Sequence, residues 1–77
     1  MEKLLELIVS SIVQKSNKVK IEKEEKEGYL NLRLKVDQED LKIVIGKGGR
    51  TIRAIRNLLK LRAIKEGIHF NLELQES

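Results

Sequence analysis

The sequence predicts an α+β fold in which three helices cover one face of a three-stranded mixed sheet. The predicted order is helix, strand, strand, helix, helix, strand (α-β-β-α-α-β). Apolar residues recur at helical spacing in three segments and alternate with polar residues in three others. Each predicted strand has only one apolar face, so the helices should all lie on one side of the sheet.

The first half of the chain predicts a helix followed by two strands. Apolar residues at helical spacing predict a helix over residues 3–15. Residues 19–22 alternate between apolar and charged, as a half-buried strand does. The charged residues that follow, ending in a glycine, predict a solvated turn over 24–28. Residues 30–36 show the clearest alternation between apolar and polar residues in the chain, which predicts the second strand.

The second half predicts two helices and a third strand. Asp37 can cap a short helix whose apolar face comes from residues 41–45. A long helix should run from about 49 to 66, and a glycine follows each of these two helices. Residues 68–74 alternate as a strand, and a two-helix crossover can place it parallel and adjacent to 30–36.

Length and composition exclude several classes of protein. The chain has 77 residues and no cysteine, which excludes disulfide bridges and thiolate metal sites. A domain of this size has little stability to spare, so association with a second chain would help it. No apolar run approaches a membrane span and no signal-peptide pattern begins the chain, so we expect a cytoplasmic protein.

Positive charge is concentrated in one region. The net charge is +4, but residues 42–62 carry seven Lys or Arg and no acid, whereas 22–27 are net negative. At about 100° per residue, four cations of the long helix fall on one arc of about 120°. We call these the basic stripe: Arg50, Arg53, Arg56 and Lys60. The opposite side of the helix is apolar and should face the core. A stripe without neighbouring acids favours a polyanionic partner over an ordinary solvated surface.

The basic stripe begins at a glycine-rich turn, Gly46-Lys47-Gly48-Gly49, which we call the glycine loop. Glycines let backbone N–H groups approach a phosphate closely, and the helix that follows offers its free N-terminal N–H groups. The loop is not a P-loop, because position 41 is Leu where that motif needs Gly. A dinucleotide fingerprint fails as well, because Thr51 stands where it needs a third Gly. A G-x-x-G between two helices remains.

The segment Ile45-Gly46-Lys47-Gly48-Gly49-Arg50-Thr51-Ile52, in this element order, closely resembles the core of a KH domain. The order resembles the type II (prokaryotic) arrangement, and the resemblance covers residues 1–77 as a single domain. It is similar to the small single-KH bacterial RNA-binding proteins of the KhpA type. In KH domains the GXXG loop clamps the backbone of about four nucleotides. The resemblance implies an RNA site formed by Ile45, Gly46, Lys47, Gly48, Gly49, Arg50, Ile52, Arg53 and Arg56.

The resemblance implies a groove between the glycine loop and the edge of the third strand, with apolar helix residues as its floor. Ile45 and Ile52 would then lie near bases, although both are equally well explained as core. Within the loop only Lys47 adds charge, so affinity should depend more on Arg50 and Arg53. The implied function is post-transcriptional regulation or RNA chaperoning, often with a second KH protein as partner.

Two other functions stay open at this point. Two helices joined by a short glycine turn could form a helix-turn-helix DNA reader, although three flanking strands are unusual for one. The chain could instead be a dimerisation or protein-interaction module. Apolar residues outside the core-facing arc of the long helix predict an exposed apolar strip, and with it a homodimer or a dimer with a related KH protein. The apolar strip is Leu58, Leu61 and Ile64.

No catalytic set is expected, and no cofactor or metal. His69 is the only histidine and there is no cysteine, so no nucleophile has a supported base. Asp37, Glu39 and Asp40 could be imagined as metal ligands, but their place at a helix start explains them as capping residues. Tyr29 and Phe70 are the only aromatic residues, so stacking on an aromatic platform cannot be the main binding mode.

Overall fold

The computed structural model describes residues 1–77 and has the predicted order of elements. Short 3₁₀ turns at 16–18, 38–40 and 47–49 join some of them. The helices and strands are α1 (Glu2–Ser10), β1 (Lys20–Lys26), β2 (Tyr29–Val36), α2 (Leu41–Ile45), α3 (Arg50–Glu66) and β3 (His69–Glu76). No helix in it is both long enough and apolar enough to cross a lipid bilayer.

The sheet is mixed and has the strand order β1-β2-β3. β1 and β2 form an antiparallel hairpin, while β2 and β3 are parallel, with Leu30 opposite Phe70 and Leu32 opposite Leu72. This confirms that the third predicted strand lies parallel and adjacent to the second. β3 is therefore an edge strand whose outer side has no neighbouring strand.

The core lies between the sheet and the helices. Alternate residues of β2 point into it, and α1, α2, α3 and β3 supply the rest, which confirms a sheet covered by helices on one face only. The buried apolar side chains are Leu5, Val9, Leu30, Leu32, Leu34, Val36, Val44, Ile52, Ile55, Leu59, Ala63 and Leu72. The other face of the sheet is polar, and there Glu22 pairs with Arg33 and Lys35.

The first helix is shorter than predicted. α1 ends at Ser10 rather than at residue 15. Beyond the helix, the backbone N–H groups of Gln14 and Lys15 donate to the carboxylate of Asp40, at 3.0 and 2.9 Å. In a continuing helix those two groups would donate to carbonyls four residues earlier. A carboxylate 25 residues away in the sequence replaces those acceptors, and the chain leaves the helix.

The first hairpin is longer than predicted. Residues 24–26, expected in a solvated turn, continue β1, and the turn itself is only Glu27 and Gly28. Both turn residues have positive φ (52° and 78°), as a two-residue hairpin turn with the twist of its strands requires. Charged side chains extend the strand here because β1 is an edge strand, where backbone pairing with β2 needs no buried face.

Candidate functional site

The glycine loop connects α2 to α3 at an exposed corner of the molecule. It turns tightly: the Gly46 N–H donates to the Lys42 carbonyl at 2.8 Å, and the Gly49 N–H donates to the Gly46 carbonyl at 3.1 Å. Lys47 and Gly48, the two variable positions of the loop, are exposed. The backbone at these two positions is therefore open to approach by a ligand.

Gly46 is the one loop position at which the fold leaves no room for a side chain. Its φ of 76° and ψ of 169° lie in a region that is essentially restricted to glycine. A Cβ there would lie 2.8 Å from the backbone nitrogen of Thr51 and would also collide with the Thr51 hydroxyl. Gly48, by contrast, has open space around the position of a Cβ. Gly46 therefore allows α3 to begin immediately against the end of α2.

The N-terminus of α3 opens directly from the loop. No side chain caps it, and its first turn contains no acidic residue. The backbone N–H groups at a helix N-terminus carry a partial positive charge, and an uncapped end is available to an anion. The loop thus presents backbone donors at the point where the basic stripe starts.

The cations around the loop have no acidic partners in the fold. Lys47, Arg50, Arg53, Arg56 and Lys60 are exposed, and none of them takes part in any of the ion pairs that the protein forms. On the other side of α3 an arginine does have a partner: Arg62 Nε lies 2.6 Å from the Glu66 carboxylate. The basic stripe is therefore a surface of uncompensated positive charge.

Arg56 brings the basic stripe to the edge of the sheet. Its Nη2 donates to the main-chain carbonyl of Leu72 at 3.3 Å, across the junction of α3 and β3. The cations of α3 therefore lie beside a strand edge that has no neighbouring strand.

The structure separates the two isoleucines whose place the sequence left open. Ile52 is only 8% exposed and belongs to the core cluster. Ile45 is 40% exposed and immediately precedes the loop. Ile45 is thus available to a ligand, whereas Ile52 mainly supports the corner from below.

The loop is held in place from the opposite end of α2. Asp40 is fully buried, and both of its carboxylate oxygens accept backbone N–H groups from the segment after α1. Next to it, Asp37 accepts the Glu39 N–H at 3.1 Å, as predicted for a capping residue. The Nζ of Lys15 lies 3.0 Å from Glu39 and 3.6 Å from Asp37. The hydrogen bond to Glu39, together with the charges of both acids, raises the pKa of Lys15.

This anchoring role of Asp40 is not apparent from the sequence. An acid at a helix start is adequately explained by capping, and nothing local points to the N–H groups of Gln14 and Lys15. The carboxylates of Asp37, Glu39 and Asp40, considered above as metal ligands, each contact donors of the protein itself. What the three acids do is fix the start of α2, five residues before the glycine loop.

Comparison with known proteins places this geometry in a family. Residues 2–74 match the family model described as KhpA/KhpB, KH domain. Among curated relatives, the RNA-binding protein KhpA of Clostridium perfringens is 44% identical over 66 residues, which are 86% of this chain and 88% of the relative. The RNA-binding protein KhpA of Borreliella burgdorferi is 42% identical over 71 residues, which are 92% of this chain and 87% of the relative.

A third relative covers almost the whole chain. The RNA-binding protein KhpA of Clostridium acetobutylicum is 39% identical over 74 residues, which are 96% of this chain and 99% of the relative. The similarity therefore extends over the helices, the sheet and the glycine loop together, and all three relatives are bacterial.

Proposed function

The chain belongs to the KhpA/KhpB family of KH domains, and on that premise we propose that it binds single-stranded RNA through the glycine loop and the basic stripe. In this proposal the backbone of Gly46, Lys47, Gly48 and Gly49 and the N-terminus of α3 contact successive phosphates. Arg50, Arg53 and Arg56 continue those contacts along the groove. Ile45 contacts a base, and Ile52 supports it from the core.

The observation that carries the proposal is the uncompensated charge beside an uncapped helix N-terminus. Five cations without a carboxylate partner lie in one run from Lys47 to Lys60, and the loop they adjoin has its variable positions exposed. Phosphates are the ligands that such an arrangement attracts, because they take both charge and backbone hydrogen bonds. In KH domains this loop clamps the backbone of about four nucleotides whose bases are unpaired, which favours single-stranded RNA over a duplex.

The test is reversal of charge in the loop. The double variant Lys47→Asp with Gly48→Asp places two carboxylates where phosphates should approach, and we expect it to abolish binding of a labelled 12-nucleotide single-stranded RNA pool of random sequence. Its circular dichroism spectrum should remain that of the native protein, because both positions are exposed. A duplex RNA of the same length should bind more weakly to the wild type than the single strand does.

A matched control is available in the β1–β2 hairpin. Lys26→Asp with Gly28→Asp makes the same substitutions at an exposed lysine and at a positive-φ glycine with open space around it. The change in net charge is identical, and we expect RNA affinity to fall by no more than about twofold, since net charge acts only through long-range attraction. Equal losses in both double variants would mean that overall charge, and not the loop, determines binding.

We further propose that the protein acts as a post-transcriptional regulator or RNA chaperone, as a binding protein and not as an enzyme. A single KH module that grips about four nucleotides has limited affinity on its own, and two linked modules gain by effective concentration. The partner would be a second copy of this chain or another KH-domain protein.

The surface for that partner is the apolar strip of α3. Leu58, Leu61 and Ile64 are 49%, 67% and 68% exposed, although all three are large apolar residues on one helix. We expect Leu61→Asp to give a folded monomer in sedimentation velocity while the wild type sediments as a dimer. Leu7→Asp is a control at a leucine of α1 with a matched exposure of 69%. A wild type that stays monomeric at high concentration would contradict the dimer.

A further inference from the structure

The structure has an apolar pocket at the end of α3 that is farthest from the glycine loop. We call it the far pocket. It has a volume of about 480 Å³ and lies between the last turns of α3 and the start of β3. Tyr29, Lys60, Gly67, His69 and Phe70 are among the residues that line it, and Ile64 of the apolar strip lies in its lining as well.

Both aromatic residues of the protein are among those that line this pocket. They are 41 positions apart in the sequence, but the parallel register of β2 and β3 places Tyr29 opposite His69 and Leu30 opposite Phe70. Tyr29 is 45% exposed, so its ring is accessible. Two rings cannot form a platform for a whole strand of bases, but one accessible ring beside a pocket can stack on a single base.

The absence of carboxylates distinguishes the far pocket from the other two cavities of the protein. A cavity of about 320 Å³ on the polar face of the sheet is lined by Glu22, Glu24 and Glu73 among others. A cavity of about 410 Å³ beside the start of α1 has a mixed lining, in which three acids (Glu2, Glu25 and Glu66) lie among three basic residues (Lys3, Lys23 and Arg62). The far pocket has no carboxylate in its lining, which includes the cation Lys60. Of the three cavities, it is the one whose lining combines a cation with no acid.

The basic stripe leads from the glycine loop to this pocket. Lys60 is both the last cation of the stripe and a lining residue, and Arg56, one turn earlier, contacts the edge of β3. Gly49 and Lys60 are 11 positions apart on a helix, or about 16 Å along its axis. A base in the far pocket therefore belongs to a nucleotide beyond those whose phosphates contact the loop.

From this continuity of charge, and from the aromatic side chains that line the pocket, we propose that the far pocket is an additional base subsite for the same RNA strand. The base stacks against Tyr29 or Phe70, and Lys60 contacts the adjacent phosphate. This inference rests on the proposed function, because it takes the strand to run along the α3–β3 groove. It predicts that the protein reads more of the strand than the loop alone can hold.

The experiment compares bases with phosphates by using three RNA oligomers. One is an eight-nucleotide oligoadenylate, and the other two carry abasic nucleotides at the two 5′ or the two 3′ positions, so that all phosphates remain. We expect the wild type to bind one of the abasic oligomers about tenfold more weakly than the intact oligomer, within the range for stacking of one base on an aromatic ring. Equal affinity for all three oligomers would overturn the proposal.

The protein variants assign that loss to the pocket. In Tyr29→Ser with Phe70→Leu, the intact and abasic oligomers should bind alike, because Leu fills the core side of the pocket but offers no ring. Tyr29→Ser alone changes only a half-exposed residue and should reduce the difference in part. Tyr29→Phe keeps the ring and should behave as the wild type. A double variant that still shows the full tenfold difference would overturn the proposal.

Two further outcomes would show which of the proposals is wrong. If the double variant becomes monomeric by sedimentation while the abasic difference is unchanged, the pocket is occupied by a second copy of the chain and not by RNA. If Lys47→Asp with Gly48→Asp binds the intact oligomer as tightly as the wild type, the role of the glycine loop fails, whereas the pocket is still judged by the abasic difference in the wild type.

Discussion

The two ends of α2 are built in opposite ways. At its start, a fully buried Asp40 accepts two backbone N–H groups, Asp37 accepts a third, and Lys15 pairs with two acids. At its end, the glycine loop leaves its variable positions exposed and the next helix uncapped. Since α2 has only five residues, fixing one end fixes the other. A loop whose donors must stay free for a ligand is thus positioned by contacts made one and a half turns away.

We call the start of α2 its anchored end and the end at the glycine loop its open end. The largest effect on stability is expected at the anchored end. Asp40→Ala would leave the N–H groups of Gln14 and Lys15 without acceptors, and each such loss costs about 1–3 kcal/mol. We expect the free energy of unfolding in urea to fall by about 3 kcal/mol. Asp37→Ala, which removes a single capping bond, should cost about 1 kcal/mol. If the two variants were equally stable, the buried carboxylate would not be the main anchor of α2.

The next effect tests whether the open end is constrained at only one of its glycines. Gly46→Ala forces a strained backbone and a contact with the Thr51 nitrogen, so we expect the free energy of unfolding to fall by about 2 kcal/mol. At Gly48 there is space for a Cβ, and the only strain on an alanine would be the left-handed φ of 63°. Gly48→Ala should therefore lower the free energy of unfolding by about 1 kcal/mol. Chemical denaturation of both variants measures the difference. A larger loss for Gly48→Ala would reverse our assignment.

A smaller effect concerns how the open end uses its charge. Contacts to two to four phosphates of a single strand predict a slope of about −1.4 to −2.8 in a plot of log affinity against log salt. Arg53→Ala should make this slope shallower by about 0.7 and should lower the affinity for RNAs of every sequence by the same factor. Arg62→Ala is the control, because Arg62 is exposed on the other side of α3 and already paired with Glu66. A salt-independent affinity would show that the basic stripe does not contact phosphates.

The smallest effect lies in the exposed ion pairs at the anchored end. The acids beside Lys15 raise its pKa above the ordinary value of 10.5, so the charged form is favoured in the folded protein. The stabilisation is complete below pH 10.5 and is lost as the pH rises through the raised pKa. The urea midpoints of wild type and Lys15→Met should therefore differ slightly at pH 8 and converge at higher pH. High salt should also remove the difference, because the pairs are exposed.

The asymmetry of α2 was only half visible in the sequence. Three glycines in four positions, followed by cations at helical spacing, identify the open end, because both features are local in the chain. The anchored end depends on an acid that meets N–H groups 25 and 26 residues away, and no local pattern reports such a contact. The same contact explains why the first helix was predicted five residues too long: its apolar periodicity continues past Ser10, but its hydrogen-bond donors are taken elsewhere.

The sequence by itself determined the order of elements and the basic stripe at the glycine loop, and its two-helix crossover allowed the second and third strands to pair in parallel. Period-two and helical patterns, and the side of a helix on which a charge lies, follow from residues close together in the chain. Only the tertiary structure decided that Ile52 is buried while Ile45 is exposed, and that Tyr29 and Phe70 share a pocket with Lys60. Those arrangements depend on strand register and on how α3 lies against β3. Both are set by the packing of the whole core, to which every segment contributes.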